Sequence, residues 1–345
     1  MPRTSPDRVP TQGDVAKLAK VSAQTVSRVM TGSQKVHPDT ERRVREAVDL
    51  LGYRVHGAAA ALATGRTRLL GVIVVSTTQY SSSAIGVGIE MVAAAHGYTV
   101  TTAAVSNHSS ASAFITAFER LERQGAEGVI IVAPVDVQDP GMIALMKRTP
   151  TVQIEGRSQL GRDGRPGSTA EQEQAQIARS ATEHLLQLGH ETVWHVSGDE
   201  DWLESGWRLS AWQEALRERG INPPPVVHGD WTPESGYRAG RALAADPGVT
   251  AVFVSSDEMA FGVIRALHEA GRRVPQDISV VSVDDIALAE YASPALTTVR
   301  QPFADRGRAA AQQVIALIDG AVTEPFVPAL PELVVRASTA PPPGR

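Results

Sequence analysis

The chain has 345 residues, enough for two or three compact units, and 42% of them are hydrophobic, so sizeable cores are available. With no Cys it makes no disulfides or thiolate metal sites, and its 9 His show no His-Glu-x-x-His spacing that would hold zinc. The formal charge of -5 divides unevenly: residues 1–66 hold 11 Lys/Arg and 6 Asp/Glu, a balance of +5, while the remainder holds 22 and 32, a balance of -10. A basic head on an acidic body fits phosphate binding by the head alone. No apolar run reaches membrane-spanning length, and the N-terminus lacks the apolar stretch of a secretion signal. No membrane partner and a cytoplasmic location are therefore expected.

Residues 1–10 are rich in Pro, Arg and Ser and are expected to be a disordered tail. An all-α headpiece is expected over 11–54. Asp14 to Val29 reads as two short helices broken at Lys20-Val21-Ser22. Val15, Ala16, Leu18 and Ala19 line one face of the first, and Val26 and Val29 line the second. Thr11, three residues before Asp14, predicts a capping box, and Ser22 an N-cap. Ala23, Gln24 and Arg28 are left facing outward. Gln pairs bidentately with adenine and Arg with guanine, so this helix suits a DNA major groove, although the same spacing also fits a plain surface hairpin. A third helix is predicted from His37-Pro38 to Leu51, stopped by Gly52, with an apolar stripe of Val44, Ala47, Val48 and Leu51.

Asp14-Val-Ala, Val21-Ser and Thr25-Val-Ser-Arg-Val29 resemble the headpiece of the lactose-repressor (LacI/GalR) family of bacterial transcription regulators. The match continues through Val36, Thr40, Val44, Ala47, Leu51-Gly52-Tyr53 and Leu62. Two departures stand out. Lys20 occupies a position where the family has a turn Gly, and a left-handed backbone there would cost about 1 kcal/mol or more. Val55-His56 replaces the usual Pro-Asn. The resemblance implies a DNA-binding surface of Thr11, Ser22, Ala23, Gln24, Thr25, Ser27, Arg28, Lys35, Tyr53, His56 and Leu62. Lys35 and its basic neighbours would sit on phosphates, which position the protein without reading sequence. Residues 55–66 match the family's hinge helix, with Leu62 as the wedge that opens a minor-groove base step. Read by itself, the segment is also compatible with a flexible Ala-rich tether, being too short for a stable helix in water.

From Leu69 the pattern changes. Predicted strands are Leu69–Val75, Thr99–Val105, Gly128–Ala133, Thr151–Ile154, Thr192–Ser197, Val226–His228, Thr250–Ser255 and Ser279–Val283. Helices are predicted near 84–96, 110–124, 140–148, 173–188, 206–220, 233–245 and 258–271. Such alternation predicts parallel sheets built by right-handed crossovers. The run is too long for one sheet and divides near 156–168, giving two Rossmann-like subdomains. The resemblance implies a periplasmic-binding-protein-like core of type I over 67–340. Its N-subdomain covers about 67–167 plus 300–328 and its C-subdomain about 168–298 plus 330–340, with later crossovers near 299 and 330 and a tail at 341–345. No Leu heptads follow the core, so a homodimer is expected.

In open parallel sheets, ligands bind beyond the carboxyl ends of the strands. Here those ends lead to Glu155, Ser256-Asp257 and Asp284-Asp285. Asp257 and Asp285 each precede a helical stretch and are read as caps. The family resemblance implies that Arg208, which opens Arg-Leu-Ser-Ala-Trp-Gln-Glu-Ala-Leu, and Asp284 contact a small effector. Gly229-Asp-Trp231 resembles the segment whose Trp borders the sugar, and Gln301 and Phe303 match residues near that site. Planar groups holding neighbouring hydroxyls beneath an aromatic face are what a sugar site needs. Ser256 stands where sugar-responsive relatives carry Asn, and Glu155 where an Asp is common. Gln79, Tyr80 and Ser81 could supply further partners or serve as ordinary loop and cap residues. Trp212 reads as core, while Trp202 and Trp207 could line the mouth or pack.

The leading expectation is a DNA-binding regulator, most simply a repressor that leaves a pseudo-palindromic operator when a sugar binds, with a galactoside favoured. Another mono- or oligosaccharide, or a purine, is the alternative effector. A sugar-binding receptor is the alternative class, disfavoured by the headpiece. No Gly-x-Gly-x-x-Gly, Walker loop or Gly-x-Ser-x-Gly stands at a strand end, so no enzyme is expected, and no cofactor beyond the effector.

Overall fold

The computed structural model describes residues 10–30, 36–53, 61, 65–75, 80–106, 111–133, 139–154, 169–321 and 331–344. The chain forms two compact units, residues 1–68 and residues 69–345.

The first unit holds three helices, α1 (Gln12–Ala19), α2 (Ala23–Met30) and α3 (Pro38–Leu51). Their small core is Val15, Ala16, Ala19, Val26, Val29, Val44 and Ala47. The ends follow the local chemistry. The backbone N–H and hydroxyl of Thr11 both donate to the Asp14 carboxylate, at 2.9 and 2.6 Å, and Ser22 Oγ accepts from the Thr25 amide at 3.1 Å. Lys20 closes α1 in the left-handed region, φ 54° and ψ 48°, so the turn keeps the backbone of a Gly without having one. Pro38 opens α3 and Gly52, at φ 61°, ends it. One expected core residue is outside: Leu18 is 45% exposed. Residues 15, 16 and 19 span one arc of the helix, and position 18 falls about 60° beyond its edge at 3.6 residues per turn.

The second unit has two lobes. The first is a parallel sheet ordered β2-β1-β3-β4, made of β1 (Leu69–Val75), β2 (Thr99–Val105), β3 (Gly128–Val132) and β4 (Thr151–Ile154). Helices α4 (Tyr80–Ala95), α5 (Ala111–Arg123) and α6 (Pro140–Arg148) connect the strands. Alternate strand residues face opposite layers. Leu70, Val72 and Val74 pack on α4, while Ile73 and Val75 pack on α5 and α6.

The second lobe uses α7 (Thr169–Gln187), β5 (Trp194–Ser197), α8 (Leu203–Arg217), β6 (Val227–His228), α9 (Pro233–Ala244), β7 (Ala251–Val254), α10 (Asp257–Glu269), β8 (Ser279–Asp284) and α11 (Ala287–Tyr291). It is closed by β9 (Thr297–Arg300) and β10 (Glu332–Val334), and α12 (Phe303–Ile318) lies between them in sequence. The sheet order is β6-β5-β7-β8-β9-β10, parallel except for the last pair. α9 and α10 cover one face, and α7 and α8 the other. After β9 the chain crosses at Gln301-Pro302, and α12 joins the core of the first lobe through Phe303, Ala310, Ala311, Val314 and Ile315.

α12 meets α4 backbone to backbone. A Cβ on Gly88 would stand 2.1 Å from the Ala304 carbonyl oxygen, and one on Gly307 equally close to that of Ile85. Only Gly permits that approach. The two-lobed α/β architecture agrees with the expectation, and the eight predicted strands recur with ends shifted by at most two residues. The additions are β9, β10, α11 and α12. Among the described residues no helix is long and apolar enough to cross a membrane.

Candidate functional site

On the headpiece, α2 presents Ala23, Gln24 and Arg28 exposed, with Thr25 and Ser27 half-buried beside them. Ser22 and Thr11 are exposed at the two helix starts, and Tyr53 packs against the headpiece core. Lys35, His56 and Leu62 lie outside the described residues. Gln12 Nε2 donates to the Ala23 carbonyl at 2.8 Å and ties α1 to the start of α2. The exposed amide and guanidinium therefore stand on a helix tied at its start to α1 and packed on the headpiece core, a prerequisite for reading base edges.

The second site is a cleft between the lobes. The first lobe supplies Ser81 from α4 and Phe303 and Arg306 from α12. The second supplies Gln174, Trp202, Glu204, Arg208, Trp231, Ser256, Glu258, Asp284 and Gln301. It opens beyond the carboxyl ends of β5, β7 and β8, where the strand order reverses between β5 and β7.

Arg208 organises this cleft. It is buried, donates from Nε to Gln174 Oε1 at 2.7 Å and from Nη1 to the Ser255 carbonyl at 2.5 Å, and lies 5.6 Å from the Trp231 ring centre. Gln174 donates to Gln301 at 3.4 Å, and Gln301 donates to Asp284 Oδ1 at 2.7 Å. The chain Arg208–Gln174–Gln301–Asp284 therefore fixes four planar groups in the cleft. Asp284 ends β8 with φ 122°, a strained conformation for a non-Gly residue, and burial raises its carboxyl well above the usual range, with the nearby Asp257 adding to the effect.

Aromatic rings line the same cleft. Trp231, itself at φ 70°, is 5.5 Å from Trp202 and closes over Gly198, where a Cβ would stand 2.1 Å from its Cζ2. Tyr80 meets Phe303 edge-on at 6.2 Å. Three buried polar atoms of lining residues have no hydrogen-bond partner among the described residues: Trp231 Nε1, Glu204 Oε2 and Arg306 Nε. Leaving such a group unanswered costs about 1–3 kcal/mol, so a ligand that answers it gains by that much.

Of the residues expected at the effector site, Arg208, Trp231, Ser256, Asp284, Gln301 and Phe303 come together, and Tyr80 adjoins them through Phe303. Gln79 and Glu155 lie outside the described residues. Ser256 also serves as the cap of α10, accepting from the Met259 amide at 3.2 Å. The two carboxylates read as caps have other roles. Asp257 is buried and accepts from Ser282 Oγ at 2.5 Å, Thr298 Oγ1 at 2.7 Å and the Ile286 amide at 2.8 Å, which ties β8, β9 and the turn after β8 together. Burial pushes its pKa up to about 6 against those hydrogen bonds. Asp285 accepts from Arg300 at 2.7 Å and Arg336 at 2.6 Å. Helix-cap preference is a local rule, and here long-range partners override it.

Trp202 does line the cleft, Trp207 does not, and Trp212 is fully buried with Nε1 donating to the Val193 carbonyl at 2.9 Å. Gln174, Glu204, Glu258 and Arg306 escaped the sequence reading. Only Glu204 carried a local signal, since it precedes Arg208 by four residues and shares its helix face. Ser197 and Glu200 both approach Nδ1 of His228, at 3.1 and 2.8 Å. Sharing one ring atom, they do not form the two-sided relay of a hydrolase triad.

An α-helical headpiece and a two-lobed α/β unit with a cleft are the parts of a DNA-binding regulator, and comparison with known proteins agrees. Residues 11–55 match the sequence profile of bacterial regulatory proteins of the lacI family, and residues 182–339 match that of the periplasmic binding protein-like domain. The chain is 32% identical over 329 residues to the HTH-type transcriptional regulator CelR of Thermobifida fusca, covering 92% of this chain and 94% of that protein. A lac repressor dimer bound to operator and the anti-inducer ONPF superposes with a TM-score of 0.84 at 30% identity, over 96% of this chain and 100% of that one. A CelR–cellobiose complex superposes with a TM-score of 0.66 at 30% identity, over 95% and 99%. The chain belongs to the LacI family of DNA-binding transcriptional regulators.

Proposed function

We propose that this regulator is a repressor whose homodimer reads a pseudo-palindromic operator and releases it when a small sugar enters the inter-lobe cleft. The observation that carries the effector reading is the linked chain of Arg208, Gln174, Gln301 and Asp284 in one cleft with Trp231 and Phe303. Fixed planar donors and acceptors can hold adjacent hydroxyls, and the rings can cover the apolar side of a pyranose. A galactoside is one favoured effector, because Gly229-Asp230-Trp231 resembles the lactose-repressor segment. A cello-oligosaccharide is the other, because a CelR relative is known with cellobiose.

Release requires the sugar to bind the DNA-incompetent state more tightly, and operator then weakens sugar binding by the same factor. A hundredfold shift corresponds to about 2.7 kcal/mol. Two contacts between the lobes are placed to change with lobe orientation. One is the Arg306–Glu173 pair, and the other is Glu258, whose carboxylate accepts from the Tyr80 amide. On the DNA side, Ala23, Gln24 and Arg28 would read bases while neighbouring basic groups hold phosphates.

Intrinsic Trp fluorescence titrated with galactose, lactose, cellobiose, xylobiose, maltose, guanine and hypoxanthine tests the effector class, since Trp202 and Trp231 line the cleft. A saturable change with a sugar supports the reading. A response confined to the purines would overturn it.

A further inference from the structure

The cleft holds a carboxylate that its hydrogen-bond network does not use. Glu204 sits in the first turn of α8, is 6% exposed, and its Oε2 has no partner among the described residues. Two donors in the same condition line the same cleft, Trp231 Nε1 and Arg306 Nε. One acceptor beside two donors calls for a ligand group that both gives and takes a hydrogen bond. A hydroxyl does both, whereas an ionised phosphate or carboxylate can only accept.

The charges in the cleft point the same way. Glu204, Glu258 and Asp284 all line it, beside two cations, Arg208 and Arg306. Arg306 pairs with Glu173, and Arg208 is held by Gln174 and the Ser255 carbonyl. A phosphate ester entering this space would meet three carboxyl groups and only one cation, Arg208, not already paired with a carboxylate, in surroundings that screen poorly.

We propose that Glu204 sets the ligand class of the cleft: it accepts a hydrogen bond from a hydroxyl of an uncharged sugar and rejects the same sugar when it carries a phosphate or carboxylate. This inference rests on the reading of the cleft as a sugar site and adds a specificity-determining residue to it. Arg208, Asp284 and Gln301 would orient the ring, and Glu204 would discriminate by charge, a use of repulsion as much as attraction.

Calorimetric titration of the full chain at pH 7.5 tests it, using glucose, galactose, cellobiose and lactose against their 6-phosphate esters. Wild type should bind at least one neutral sugar about 30-fold or more tighter than its ester. E204Q keeps the shape and removes the charge, so it should narrow that ratio by about fivefold or more, chiefly by tightening the ester. E204A should weaken the neutral sugar by about tenfold, with an unchanged circular dichroism spectrum showing that the fold survives. A wild type that prefers the ester, or an E204Q ratio equal to that of wild type, would overturn the role of Glu204 while leaving the cleft a sugar site. Silence with all eight compounds would overturn the sugar reading and this proposal with it.

Discussion

Arg306 on α12 of the first lobe and Glu173 on α7 of the second form an ion pair across the cleft, with side chains only 8% and 9% exposed. Removing one partner leaves a buried charge unanswered. E173A or R306A should therefore lose about 3 kcal/mol in urea unfolding, while the apolar double replacement E173L/R306M should lose less than the worse single variant. Additive losses would show that the two side chains act separately.

Lys20 holds a left-handed turn between α1 and α2 that a Gly would hold without strain. K20G should relieve about 1 kcal/mol of strain, partly offset by the greater freedom of Gly in the unfolded chain. Hydrogen exchange of the full chain should then show slower exchange across residues 12–30. K20V, β-branched at the same φ, should speed it. Equal exchange in all three would mean the turn relaxes away from the left-handed region.

The headpiece was legible because its information is local. A cap and its partner lie three residues apart at Thr11–Asp14 and Ser22–Thr25, and the apolar faces repeat with the helical period. Strands β1 to β8 were legible as short apolar runs between helices. α12 was not, because the middle of its buried face is Arg306, Gly307, Ala310 and Ala311, with large apolar residues only at its ends (Phe303, Val314 and Ile315), and its close approach to α4 depends on a Gly some 220 positions earlier. The same limit applies to the cleft. Arg208 and Asp284 could be matched from short motifs, but Gln174 meets Gln301 only through the fold. Asp257 and Asp285 were misread for that reason: their partners Thr298, Arg300 and Arg336 come from later strands and the C-terminal segment.

Asp257 makes stability depend on pH. Its folded pKa of about 6 lies above the ordinary 3.8, so the folded state holds the proton more tightly than the unfolded chain. Its contribution is therefore fully present below about pH 4 and is lost as pH rises through 6, by up to about 3 kcal/mol. Asp257→Asn should carry a constant penalty from the altered hydrogen bonds but lack this slope. The stability gap between wild type and variant, measured by urea unfolding from pH 4 to 7, should shrink as pH rises. A constant gap would place the Asp257 pKa near its ordinary value.

Arg28 is exposed in the last turn of α2, where a guanidinium can reach a guanine edge. R28A should cost about 1–3 kcal/mol on a selected operator and relax preference at one base position, while sugar binding stays the same. Unchanged operator preference would remove Arg28 from the readout.

The most direct test of the account is the coupling between its two sites. The affinity of the full chain for a selected operator should be measured with and without the sugar that binds it, in wild type and in R208A. Wild type should lose about a hundredfold of operator affinity when saturated with sugar, and sugar affinity should fall by the same factor on operator. R208A should hold operator as tightly as wild type and no longer release it. A sugar that fills the cleft while operator affinity stays constant would contradict regulation through the cleft.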